Sequence, residues 1–205
     1  MKRYVALVPV KPPALGKSRL VGLPDADRQA LAAAFALDTV AACVDAEAIA
    51  EVLVATDDAS FSVELAALGA ITIPDGVAMD LNGTLRQSAA EARRRWPDLV
   101  PVALTADLPA VRGSDLDAAL AEVVPGEAAY VADSEGLGTT LYTAAHDAFD
   151  PRFGPASALA HDATGARPIT APLPRLRRDV DDTSDLDAAL ALGVGPRTAE
   201  RAASR

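Results

Sequence analysis

The chain has 205 residues and a formal net charge of −10, with 29 carboxylates against 19 Lys and Arg. That balance argues against a nucleic-acid backbone or an anionic membrane as partner. Half of the chain is hydrophobic but only 4% is aromatic, so Ala, Leu and Val must build the core, and the one cysteine, Cys43, excludes an internal disulfide or a Cys-rich zinc centre.

Met1-Lys2-Arg3 runs directly into the apolar stretch Tyr4–Val10, which reads as a buried strand and leaves no room for a signal peptide. No apolar run approaches the ~20 residues of a membrane span. A soluble cytoplasmic protein with one domain over residues 1–205 is therefore expected. The first strand empties into Lys11-Pro12-Pro13-Ala14-Leu15-Gly16-Lys17-Ser18-Arg19-Leu20. Cations at the carboxyl end of a first parallel strand lie where an open α/β sheet binds phosphorylated ligands, although solvated surface charge explains them too. Gly16-Lys17-Ser18 is not the end of a P-loop, because Lys11 occupies the position of the earlier glycine.

Beyond that loop, strands are expected at Glu51–Ala55, Ala70–Ile73, Leu99–Leu104, Ala128–Ala132 and Thr139–Thr143. Helices are expected at Ala26–Val44, Ala59–Leu68, Gly83–Trp96, Ser114–Val123, Ser157–Thr164 and Ser184–Leu192. Ser114 with Asp117, and Ser184 with Asp187, read as capping boxes, and Gly193 as a helix stop. The alternation predicts a parallel sheet covered on both faces by helices. After Asp107 the pattern changes, and strands joined by short polar turns predict a mixed antiparallel portion or a β-rich insertion. Pro-rich Arg167–Arg175 reads as a connecting segment, and the tail beyond Gly195 as a frayed helix.

Four constellations could carry chemistry. The cationic loop is the first. In the second, the apolar strand delivers Asp107 to its carboxyl end, where a carboxylate suits a hard cation such as magnesium or caps the turn before Pro109. In the third, Arg177-Arg178-Asp179-Val180-Asp181-Asp182-Thr183, an extended backbone puts Asp179 and Asp181 on one face; the alternative is a solvated acidic turn. The fourth, Phe153-Gly154-Pro155-Ala156-Ser157, offers backbone N–H groups to an anion, or an ordinary helix capped by Ser157. Gly138-Thr139-Thr140 is a similar small-residue anion site or a strand start, and His161 a phosphate contact or a surface histidine. His146 and Cys43 read as structural. No Gly-x-Ser-x-Gly elbow or Gly-x-Gly-x-x-Gly fingerprint is present, which disfavours acyl transfer and dinucleotide chemistry.

Taken in order, several of these segments resemble the 2-phospho-L-lactate and phosphoenolpyruvate guanylyltransferases of deazaflavin-coenzyme biosynthesis. They are Pro9-Val10-Lys11 with Lys17-Ser18-Arg19-Leu20, Leu81-Asn82-Gly83, Asp107-Leu108-Pro109, Arg152-Phe153-Gly154-Pro155 with Ser157 and His161, and Asp179-Val180-Asp181 with Asp185-Leu186. Leu192-Gly193-Val194-Gly195 with Thr198 matches the family's end. The resemblance implies a Rossmann-like mixed sheet of the nucleotidyltransferase (glycosyltransferase A) type. It implies GTP held by Val8, Pro9, Val10, Lys11, Lys17, Leu81 and Asn82, and a phosphorylated three-carbon acid held by Thr139, Gly154 and Ser157. Asp107 and Asp179 are implied as magnesium ligands, with Asp181 a subsidiary one, and Lys17, Arg19 and Asp107 as catalytic. Leu137 stands where the family commonly has a threonine, so one hydroxyl is missing. Another nucleotidyl or sugar-nucleotide transferase, or a noncatalytic nucleotide sensor, are the competing readings; sequence leaves the oligomeric state open.

Overall fold

The computed structural model describes residues 3–11, 20, 23–77 and 80–204. Among the described residues seven strands form one sheet: β1 (Tyr4–Pro9), β2 (Ile49–Ala55), β3 (Ile71–Ile73), β4 (Val100–Leu104), β5 (Ala129–Ala132), β6 (Thr139–Thr143) and β7 (Arg167–Pro168). Their spatial order is β3-β2-β1-β4-β6-β5-β7. The first four pair in parallel, whereas β6 runs antiparallel to both β4 and β5. The expected antiparallel portion is thus part of the sheet itself.

Among the described residues the α-helices are α1 (Asp25–Asp45), α2 (Ala59–Ala67), α3 (Leu81–Arg95), α4 (Gly113–Ala121), α5 (Ser157–Asp162), α6 (Pro174–Arg177), α7 (Thr183–Leu192) and α8 (Pro196–Ala203). β1 is apolar almost throughout because both of its faces are covered. Ala6 and Val8 join the core beneath α1, α2 and α4, whereas Val5 and Leu7 join that beneath α3 and α5. A third, smaller core gathers Leu20, Leu31, Phe35, Ala110, Val180, Leu186 and Ala189. It anchors the C-terminal segment against α1. Among the described residues no helix is long and apolar enough to cross a membrane.

Three local expectations are corrected. Arg167–Arg175 is not merely a connector, since it carries β7 and the start of α6. The cap of α7 is Asp182, which accepts from Ser184 N (2.8 Å) and Asp185 N (3.0 Å), while Asp185 accepts from Asp182 N in return. Asp117 does not pair with Ser114; its carboxylate accepts from Glu47 N (3.1 Å) and Ala48 N (2.8 Å), tying α4 to the entrance of β2.

Candidate active site

β1 and β4 are parallel neighbours, and the chain leaves β1 toward β2 but reaches β4 from the far edge, after β3 and α3. Their carboxyl ends therefore flank the switch point of the sheet, where open α/β folds bind ligands. β1 ends there at Pro9, Val10 and exposed Lys11. Val8 and Val10 point into the core, so only their backbone can meet a nucleotide. Lys17 and Arg19 lie outside the described residues.

β4 delivers Thr105, Ala106 and Asp107 to the same crevice. Their loop is braced from three sides: Thr39 Oγ1 on α1 accepts from Leu108 N (3.1 Å), Val180 N donates to Asp107 O (3.1 Å), and Gly195 N donates to Pro109 O (2.8 Å). The second of these bonds brings the acidic segment of residues 179–181 alongside Asp107. Val180 is fully buried in the third core, so Asp179 and Asp181 flank an anchored residue and are themselves half-buried. The segment is therefore held against the core at Val180 rather than wholly solvated, although it does lead into the Asp182 cap of α7.

Electrostatics make this crevice distinctive. Burial, and then the neighbouring charges of Asp107, Asp181 and Asp133, push the Asp179 carboxyl up to about 7. Asp133 was not singled out in sequence. It closes the β5–β6 turn by accepting from Glu135 N (3.1 Å), Leu137 N (2.9 Å) and Gly138 N (2.6 Å). Its position at the head of a polar turn was the available signal.

No three His, Cys, Asp or Glu side chains among the described residues form a ready-made metal cage. Magnesium seldom uses one, taking one or two carboxylates with water and substrate phosphate as the remaining ligands. Crowded, partly desolvated carboxylates that repel one another fit such an ion. Asp107 and Asp179 are the residues that would hold it, with Asp181 beside them.

Just before α5, Gly154 (φ 137°) and Ala156 (φ 54°) both take left-handed backbone conformations. Ser157 is buried but does not cap α5, whose N-cap is Ala156. Two of the expected anion-binding N–H groups are already engaged, Ser157 N with Gly154 O (3.2 Å) and Ala158 N with Leu137 O (3.1 Å). Thr139 Oγ1 lies 3.0 Å from His161 Nδ1, so its hydroxyl serves that ring. Asn82, in the first turn of α3, directs both amide atoms at the backbone of Phe153.

His161 is neither a surface residue nor free for phosphate. It is completely buried, stacked on Tyr142 (centroids 4.5 Å apart) and met edge-on by Phe153 (5.5 Å). Its Nε2 accepts from Arg152 N at 2.9 Å, which puts the ring proton on Nδ1. Burial pushes the imidazole down to about 4, against the weaker upward pull of a bond to the Ser157 backbone. An unfolded chain binds this proton near pH 6.5, so below that value unfolding takes up protons and stability falls as pH drops toward 4. We expect a loss on the order of 1–2 kcal/mol across that window after solvent screening. Thermal melts between pH 7 and 4 check this, and the His161→Gln protein should lack that part of the loss.

The remaining assignments are structural. Cys43 is buried, its thiol pushed up to about 12 by desolvation. Arg177 donates to Ala132 O (2.9 Å) and Ile169 O (2.6 Å), and Arg178 pairs with Asp185 (3.0 Å). Sequence reasoning also missed Asp38 and Thr39, two polar residues inside the apolar middle of α1 that support the Asp107 loop and α8. Adjacent polar residues in so apolar a helix were the signal.

Known proteins match this chain over almost its whole length. A family model described as "Guanylyl transferase CofC like" matches residues 4–200. A phosphoenolpyruvate guanylyltransferase of Thermomonospora curvata is 48% identical over 96% of this chain and 87% of its own. One of Salinispora arenicola is 45% identical over 96% and 92% respectively. Among solved structures, the 4-diphosphocytidyl-2C-methyl-D-erythritol synthase of Anaerococcus prevotii superposes with a TM-score of 0.61 at 8% identity, covering 93% of this chain and 95% of that one. That likeness identifies the nucleotidyltransferase fold alone. Together with the switch-point crevice and its carboxylates, the family match makes the assignment: this chain belongs to the CofC-like guanylyl transferase family.

Proposed function

We propose that this protein joins the guanylyl group of GTP to phosphoenolpyruvate, releasing pyrophosphate and serving the synthesis of a deazaflavin coenzyme. The observation that carries the reading is the juxtaposition of Asp107 and Asp179 at the switch point. The names of the relatives favour phosphoenolpyruvate over 2-phospholactate as acceptor.

The nucleophile is an oxygen of the acceptor phosphate, whose second pKa is about 6, so it is ionised at neutral pH and requires no general base. The new bond joins it to the α-phosphorus of GTP as the bond to the bridging oxygen of pyrophosphate breaks. The obstacle is repulsion between two polyanions. A magnesium ion held by Asp107 and Asp179 would, when bound, supply the charge neutralisation and alignment that in-line phosphoryl chemistry needs. Lys11 stands at the end of β1 to meet the triphosphate, and Lys17 and Arg19 follow it in sequence to offset charge on the leaving group. The backbone around Gly154 and Ser157 orients the acceptor.

Pyrophosphate release should appear with GTP, magnesium and phosphoenolpyruvate, and mass spectrometry should identify guanylylated phosphoenolpyruvate. A larger kcat/KM with 2-phospholactate would reassign the acceptor, and turnover with ATP, CTP or UTP in preference to GTP would reassign the nucleotide. GTP binding without turnover on either acceptor would favour a sensor.

A further inference from the structure

Asn82 and Phe153 lie 71 positions apart in the chain and meet through two hydrogen bonds. Asn82 Oδ1 accepts from Phe153 N (2.8 Å), and Asn82 Nδ2 donates to Phe153 O (2.9 Å). The side chain thus pairs with one residue's backbone as a neighbouring strand would. Reversing the amide would set donor against donor and acceptor against acceptor, so the two bonds fix its orientation.

Asn82 is itself held. Asp80 caps α3 by accepting from Gly83 N (2.9 Å), and Thr84 Oγ1 bonds both Asp75 and Asp80 O. On the far side, His161 Nε2 receives Arg152 N, and buried Phe153 packs against the same ring. Immediately beyond come Gly154 and Ala156, both left-handed, with Pro155 between them. Ala156 has no conformational preference for that region. The path of this turn is therefore set jointly by its own backbone bonds, Ser157 N to Gly154 O and Ala158 N to Leu137 O, and by the side chains that grip residues 152 and 153.

We propose that Asn82 is a positioning residue for the acceptor loop, setting Gly154 and Ser157 through the Phe153 backbone, rather than a nucleotide contact. The inference rests on the acceptor reading of that loop given above.

Kinetics of Asn82→Ala and Asn82→Asp, with GTP and phosphoenolpyruvate varied separately, distinguish the roles. Loss of two neutral hydrogen bonds should raise the acceptor KM roughly 10–100-fold in Asn82→Ala. Asn82→Asp keeps the bond to Phe153 N and should show a smaller rise, while the GTP KM moves less than about twofold in either. A raised GTP KM with an unchanged acceptor KM would overturn the proposal, as would two unchanged constants. Hydrogen exchange gives a second readout that does not depend on the acceptor: the Phe153 amide should exchange at least about tenfold faster in Asn82→Ala while the α3 amides keep their protection. Unchanged exchange at Phe153 would sink the clamp itself. If Asn82→Ala does not fold, Asn82→Asp decides by its acceptor KM alone, because it keeps the bond that protects the Phe153 amide and loses the one to Phe153 O; an unchanged acceptor KM in it would overturn the proposal. Failure of the wild-type protein to use phosphoenolpyruvate would sink the acceptor reading instead.

Discussion

Asp179→Asn is expected to lose activity and gain stability in the same protein. Asn is nearly isosteric with Asp, so the change removes a charge without opening a cavity. Asp179 sits half-buried within reach of the charges of Asp107, Asp181 and Asp133, and its carboxyl is pushed up to about 7 by desolvation first and then by that crowding. Removing it relieves repulsion in the metal-free fold, by about 1–2 kcal/mol, or a rise of roughly 2–8 °C in Tm for a chain of this size. The same loss leaves the proposed magnesium ion without one of the two carboxylates that would hold it. Guanylyl transfer should fall by about 10²–10³-fold, in line with the removal of a preorganised electrostatic contact. Asp107→Asn should show a comparable loss of turnover with the fold intact. Melting in EDTA, followed by titration with magnesium, separates the effects, because wild-type protein should gain stability with the ion and Asp179→Asn should gain less. A normal response to magnesium with normal turnover would remove Asp179 from the metal site. A lowered Tm in EDTA would mean that its carboxylate supports the fold.

Much of the sheet was legible because burial writes itself into periodicity. β6 occupies the expected residues Thr139–Thr143, and β2 extends its expected range only at the start. β7 left no such mark: Arg167 and Pro168 are both exposed, and two residues cannot establish an alternation. The capping errors have a different origin. A Ser or Thr followed by an acid three residues later fits several frames, and the burial of Leu186 and Ala189 selects Asp182 for α7. The crevice was legible only in parts. Asp107 and Asp179 could each be picked out as a carboxylate in an unusual setting, but the bond from Val180 N to Asp107 O that brings their segments together is invisible in one dimension. His161 misled for a related reason, since the rings that bury it come from Tyr130 and Tyr142 in the sheet and from Phe153 in a loop. Asn82 carries no local sign of its partner 71 positions away.

Asp38→Ala should be strongly destabilising although it lies outside the crevice. The last helix, α8, spans only Pro196–Ala203, too short to persist through its own hydrogen bonds. Its amino end is capped from α1: Asp38, with 1% of its side chain exposed, accepts from Thr198 N (2.8 Å) and Arg197 N (3.3 Å), and the Arg197 guanidinium lies 3.5 Å away. The approach is so close that a Cβ on Gly195 would lie 2.7 Å from that of Asp38, which explains a glycine there. Alanine at position 38 leaves two N–H groups and a cation without their acceptor beside a buried surface, a cost of about 2–4 kcal/mol. Tm should drop by roughly 4–16 °C. Asp38→Asn retains an uncharged acceptor and should lose less than half as much. The damage should also reach the chemistry, because Gly195 N holds Pro109 O and α8 thereby braces the loop bearing Asp107. Turnover measured well below the melting temperature should therefore fall in Asp38→Ala, with amide exchange quickened at Thr198 and Gly195. Unchanged melting, or faster exchange in α8 with undiminished turnover, would show that the helix is a passive cover and that the Asp107 loop is held by Thr39 and Val180 alone.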